Sequence, residues 1–143
     1  MKIAIVTDHG GFEMKKALKK HYAQFEWLDL GTDSADSVDY PDFAKKMAKV
    51  VLSHEAELGI LICGTGVGIS IAANRFHGIR AALVYNTEVA KLAKQHNNAN
   101  VLVFGGCTMA VDDVINSIDT FMQSEYEGGR HQRRLDKIEN TEL

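Results

Sequence analysis

The residues best suited to chemistry lie in Ile62-Cys63-Gly64-Thr65-Gly66-Val67-Gly68-Ile69-Ser70, where an apolar run ends at a thiol and passes into a glycine-rich turn that opens a helical pattern. Backbone N–H groups in such a turn and in the first helical turn have no intrahelical partner, and they lie at the positive end of the helix dipole, so they can cradle a developing anion. A cysteine beside them has its thiolate stabilised. The pattern therefore combines a base with an oxyanion cradle. It also fits a nucleotide-phosphate loop next to an inert buried cysteine, although the Gly-Lys-Ser/Thr ending of a P-loop is missing and a dinucleotide fingerprint belongs after the first strand of its unit.

Other segments offer polar partners. Asp8-His9 follows the first apolar run and can bind hydroxyls or a phosphate; Asp8 can equally cap the helix that follows, and the two roles are compatible. Asp39 and Tyr40 read first as residues that shape a turn before a helix. His96 continues the apolar stripe of its own helix, which suits a half-buried structural histidine. The run Gln95-His96-Asn97-Asn98-Ala99-Asn100 nevertheless gathers polar side chains at one helix end. Arg130 and Arg134 are four apart, so on a helix they share a face and can grip a phosphate, while Arg133 points partly aside; a solvated charged face is the alternative.

Elements must bring these residues together. Ile3 to Thr7, Leu58 to Cys63, Arg80 to Tyr85 and Val101 to Phe104 read as strands, with Glu26 to Leu30 a weaker fifth. Helical spacing joins Met14, Ala17, Leu18, His21, Tyr22 and Phe25; then Phe43, Ala44, Met47, Ala48 and Val51; then Val89, Leu92, Ala93 and His96; and last Val111, Val114, Ile115, Ile118, Phe121 and Met122. Strands that are apolar throughout, each followed by a helix, specify a parallel sheet covered on both faces. The expected fold is α/β: a three-layer, Rossmann-like, doubly wound parallel sheet of five strands in a single domain spanning 1–143. Ligands in such sheets sit beyond the carboxyl ends of the strands. Polar and glycine-rich residues follow three of them: Asp8-His9-Gly10-Gly11, Gly64 to Gly68, and Gly105-Gly106. Pro41 is expected to start the second helix, and Gly128-Gly129 to end the long one. The polar tail from about 126 to 143 is weak as an isolated helix and is expected to pack on something, another subunit among the choices.

With 143 residues, 45% hydrophobic and 24% charged, the chain can build an ordinary core without staples. Cys63 and Cys107 are the two cysteines, too few for a disulfide framework and outside any zinc-type spacing. Reduced thiols in a cytoplasmic protein are expected. A net charge of -3 leaves no broad footprint for nucleic acid, and no apolar run reaches the length of a membrane span.

Together the segments resemble the family of ribose-5-phosphate isomerase B, which includes the galactose-6-phosphate isomerase subunits. The matching pieces are DHGG at 8–11, DYPD at 39–42, GILICGTGVGISIAANR at 59–75, GIRAAL at 78–83, QHNNANVL at 95–102 and YEGGRHQRR at 126–134. The resemblance implies an aldose–ketose isomerase of a small phosphorylated sugar that works without a cofactor or a metal. It implies a homodimer, sometimes paired into a homotetramer, with the active site between subunits. It further implies that Cys63 moves the proton between C1 and C2, that Gly64, Thr65, Gly66, Val67 and Gly68 stabilise the enediolate with Thr65 at the sugar oxygens, and that His96 helps to open the furanose ring. Asp8, Tyr40 and Asn97 would hold hydroxyls, and His9, Arg130 and Arg134 the phosphate. The chain departs from the family where an arginine usually follows the fifth strand in Gly-x-Arg; here the sequence is Gly105-Gly106-Cys107. That arginine ordinarily serves the phosphate site, so its absence bears on the substrate more than on the reaction. Ribose 5-phosphate is the expected substrate, with allose 6-phosphate or galactose 6-phosphate as six-carbon alternatives. A non-catalytic sugar-phosphate sensor is the competing class; it would have no need of a thiol base beside the cradle.

Overall fold

Among the described residues five segments are strands, all but the second largely aliphatic: β1 (Lys2–Thr7), β2 (Glu26–Asp29), β3 (Leu58–Cys63), β4 (Ala81–Leu83) and β5 (Val101–Gly105). The structure, a computed structural model, describes residues 1–31 and 39–143. All four pairings are parallel, and the order is β2-β1-β3-β5-β4. Every residue of β3 and of β5 is buried, as continuous apolar runs require of strands covered on both faces.

The two-residue period of a strand divides these side chains between two cores. Ile3, Ile5, Ile60, Ile62, Leu102 and Phe104 face α1 (Phe12–His21), α4 (Thr87–Gln95) and α5 (Val111–Gln123), meeting Met14, Leu18, Ala93 and Ile118. Ala4, Val6, Leu61, Val101 and Val103 face α2 (Tyr40–Leu52) and α3 (Val67–Ala73), meeting Ala44, Met47 and Ile69. The sheet is thus one α/β domain of three layers. The winding reverses between β1 and β3, since β2 lies on one side of β1 and the rest of the sheet on the other. That is the crevice where ligands bind in such sheets.

Buried polar groups secure the first crossover. Asp29, at the end of β2, accepts from Lys15 Nζ and Lys19 Nζ at 3.0 Å each and from the Gly31 N–H at 3.0 Å. Burial pushes its carboxyl up, but the Gly31 N–H and the two ammonium groups outweigh it and hold the group below the ordinary carboxylate value.

Pro41 stands in the first turn of α2, as expected. Three elements differ from the expectation. The fourth strand is shorter at Ala81–Leu83, although the Val84 N–H still donates to the Val103 carbonyl at 2.9 Å. Helix α5 ends at Gln123 rather than at Gly128-Gly129, because Ser124 is extended and its hydroxyl turns back to the Thr120 carbonyl at 2.7 Å. The two glycines instead take positive φ, 65° and 57°, and open α6 (Arg130–Glu139). The tail packs on its own chain: His131 and Leu135 are buried, and the Gly78 N–H donates to Glu139.

Candidate active site

The carboxyl ends of β1, β3 and β5 carry three loops that touch through their backbones. The ladder itself continues into them: the Asp8 N–H donates to the Ile62 carbonyl at 3.0 Å, the Gly106 N–H to Cys63 at 2.8 Å and the Cys107 N–H to Gly64 at 2.9 Å. Asp8 caps the short turn His9–Gly11 by accepting from the Gly10 N–H at 2.8 Å, the structural role considered for it, and the same residue still stands at the crevice.

Cys63 ends β3 and is 6% exposed. Its sulfur accepts the Gly66 N–H at 3.2 Å. Gly66 reaches this position with φ +83°, and a Cβ there would lie 2.7 Å from Leu83 and 3.1 Å from the Phe104 backbone, so the turn that solvates the thiol tolerates only glycine. Thr65 is exposed and its hydroxyl accepts from the Val67 N–H at 3.2 Å, which orders the entry to α3. Tyr40, at the first position of α2, lies over Gly68; a Cβ on that glycine would be 2.7 Å from the phenol oxygen. Tyr40 therefore does more than shape a turn, since its hydroxyl overlooks the first turn of α3. His9 is exposed on the first loop, and Cys107 is exposed on the third with its sulfur 4.0 Å from the Gly10 carbonyl.

The other candidates gather elsewhere. His96 terminates α4 and Asn97 follows it, with the chain reversal completed by Asn98 at φ +43°. Arg80 fixes this turn through its guanidinium, which donates to the Asn97 and Asn98 carbonyls at 2.9 to 3.1 Å. Helix α6 then brings Arg130 and Arg134 to the same place. His96, Asn97, Arg130 and Arg134 line one cavity of about 260 Å³ together with His131 and Leu135. Two larger cavities, of about 340 and 350 Å³, include no cysteine and neither of these arginines.

Two residues with no role in the sequence reading join this second group. Glu127 Oε1 lies 3.2 Å from His131 Nε2 and 3.8 Å from His96 Nε2, and the two imidazoles stack with centroids 4.2 Å apart. The Glu127/His131 spacing of four was visible in the sequence; the approach of His96 was not. The three side chains form the described group whose donor atoms best suit a metal, within 4.8 Å of one another. The rings are within 14° of parallel, however, so their lone pairs run side by side instead of converging on an ion.

The chain thus carries a buried thiol that accepts a backbone N–H in a glycine-rich turn and, in a separate cavity, a cluster of imidazole and guanidinium groups. The chain belongs to the ribose/galactose isomerase family, whose model matches residues 3–138. It is 45% identical over 139 residues to ribose-5-phosphate isomerase B of Escherichia coli, covering 96% of this chain and 93% of that one. The structure is similar to that of a ribose 5-phosphate isomerase from Thermotoga maritima, with a TM-score of 0.96, 49% identity and 98% of each chain covered. It is also similar to ribose-5-phosphate isomerase B of Mycoplasma genitalium with bound ribulose-5-phosphate: TM-score 0.90, 46% identity, 96% of this chain and 93% of that one.

Proposed function

We propose that this protein interconverts ribose 5-phosphate and ribulose 5-phosphate through an enediolate, with Cys63 as the base. The observation that carries the reading is the buried Cys63 thiol held by the Gly66 N–H at the mouth of the glycine loop. Proton transfer between adjacent carbons needs one base and a cradle for the transient oxyanion. The Cys63 thiolate takes the C2 proton of the open-chain aldose, the electron pair moves to give the C1–C2 double bond, and the oxygen at C1 becomes the oxyanion. N–H groups of residues 64–68 and the Thr65 hydroxyl face that charge. The O2 hydroxyl proton passes to O1, the C2 carbonyl forms, and the thiol returns its proton to C1 to give the ketose, so nothing is oxidised or reduced overall.

His96 opens the furanose ring before this step, Asp8, Tyr40 and Asn97 hold hydroxyls, and His9, Arg130 and Arg134 hold the phosphate. Binding energy from the phosphate positions the reacting carbons. Within one chain, the cavity of His96, Asn97, Arg130 and Arg134 contains none of the loop residues around Cys63. A second copy completes the site by setting its own His96 cluster over the Cys63 loop. The surface beside that loop suits such a contact: Val67 and Ile71, one turn apart on α3, are 48% and 61% exposed, Tyr85 beyond β4 is 65% exposed, and β4 is an edge strand.

The test is turnover of ribose 5-phosphate and allose 6-phosphate side by side in EDTA, with Cys63→Ala in parallel. Cysteine-dependent turnover of the pentose supports the reading. Preference for the hexose moves the substrate and keeps the chemistry, while cysteine-independent turnover rejects the base.

A further inference from the structure

Glu127 lies in the connection between α5 and α6, and the proton transfer at Cys63 makes no use of it. Its placement is nonetheless tied to His96. The Glu127 N–H donates to the Gln95 carbonyl at 3.0 Å, so the carboxylate is anchored to the last residue of α4, immediately before the histidine. A carboxylate only accepts, so an imidazole that faces it through Nε2 presents an N–H there. His131, whose side chain is 7% exposed, makes that contact at 3.2 Å and lies flat against His96. The stack limits rotation of the His96 ring and leaves its Nε2 directed at the same oxygen, 3.8 Å away.

We infer that Glu127 is a positioning residue for His96: with the His131 stack it holds the ring with Nε2 toward the carboxylate and leaves Nδ1 to deliver the proton that opens a furanose phosphate. This rests on the reading of His96 as the ring-opening group. In that step the bond between C1 and the ring oxygen breaks, the ring oxygen takes the Nδ1 proton, and the anomeric hydroxyl gives its proton to water as the C1 carbonyl forms; solvent then reprotonates the imidazole. The charges around His96 show why an anion is needed. Arg130 and Arg134 of α6 line the same cavity, Arg80 binds the carbonyls of the next two residues, and Lys94 lies on the same helix, over the Phe121 ring. All of these groups are positively charged. Glu127 opposes them at close range, and its influence grows when a substrate phosphate neutralises the two α6 arginines.

Ribulose 5-phosphate separates this role from a structural one, because its 5-hydroxyl carries the phosphate and it cannot close a furanose ring. Exchange of its C1 hydrogens with D₂O, followed by NMR, needs the thiol base and bypasses ring opening. Glu127→Gln and His96→Asn are compared with the unaltered protein in this exchange and in ribose 5-phosphate turnover as a function of pH. Both variants are expected to lose turnover by about tenfold or more while keeping exchange within about twofold. Glu127→Asp should restore part of the loss. Parallel loss of turnover and exchange in Glu127→Gln overturns the inference, as does intact turnover in Glu127→Gln while His96→Asn shows the one-sided loss. If His96→Asn itself loses exchange along with turnover, the ring-opening reading fails and takes this inference with it.

Discussion

The Cys63 loop and the His96 cluster solve different physical problems. Around Cys63 the structure is backbone: three strand ends continue their ladder into loops that touch through glycines, and the thiol is set by an N–H at 3.2 Å. Around His96 it is side chain: an imidazole stack, a shared carboxylate and two arginines on a helix whose other faces meet solvent. An oxyanion that exists only briefly, in the enediolate and the transition states that flank it, is best met by groups that cannot relax, which is what strand ends supply. A phosphate present throughout the reaction can be met by flexible cations that close on it. On the proposed mechanism the buried half governs the rate, and the exposed half governs binding and the ring.

That division can be broken by experiment. Cys63→Ala should lower kcat by roughly 10³-fold while circular dichroism shows an intact fold, because the side chain is the proposed base and only a small part of the core. Retention of more than a few per cent of the activity would remove the thiol from the mechanism. Gly66→Ala forces a Cβ into Leu83 and the Phe104 backbone at φ +83° and should cost about 2 kcal/mol of stability by thermal melting, with activity falling in step. Arg134→Ala removes one charge-assisted contact and should raise KM by roughly tenfold with a smaller change in kcat. An equal fall in kcat would show that the helical half acts in the transition state after all.

The smallest effect lies outside both halves. Asp29→Asn takes a carboxylate from Lys15, Lys19 and the Gly31 N–H and should cost on the order of 1–2 kcal/mol at neutral pH. The folded carboxyl titrates below its ordinary value of 3.8. Its contribution is therefore present above the unfolded pKa and is lost as pH falls through the lower, folded one. Denaturant midpoints of the two proteins should converge on acidification, and a constant gap would assign the loss to shape instead of charge.

The two halves were also unequally legible. Strand runs, the glycine turn after β3 and Asp8 after β1 announce themselves because local backbone demands leave a mark in residue type: an apolar run for a doubly covered strand, glycine for a φ of +83°. The strand order is less visible. That β5 enters between β3 and β4 depends on where α4 packs, and no local signal encodes it. Gly128 and Gly129 were read as the end of α5, although Ser124 stops that helix by bonding back to Thr120 and the glycines open α6. Helix α6 then buries His131 and Leu135 on its own chain, so the tail does not depend on a partner to be covered on that face. Glu127 and His131 reach His96 across more than thirty residues of sequence. Such a contact leaves no periodicity to read.

The central claim is that a working site takes its Cys63 loop from one chain and its His96 cluster from another. Subunit mixing tests it most directly: Cys63→Ala and His96→Asn proteins, each inactive or nearly so with ribose 5-phosphate, are unfolded together, refolded and assayed. If the site spans two chains, a mixed dimer carries one site with both substitutions and one with neither, and activity should return to about a quarter of the unaltered protein's at equal mixing. Mixtures no more active than their components, with exchange of subunits verified by mass, would place both residues in a site within one chain and contradict the account.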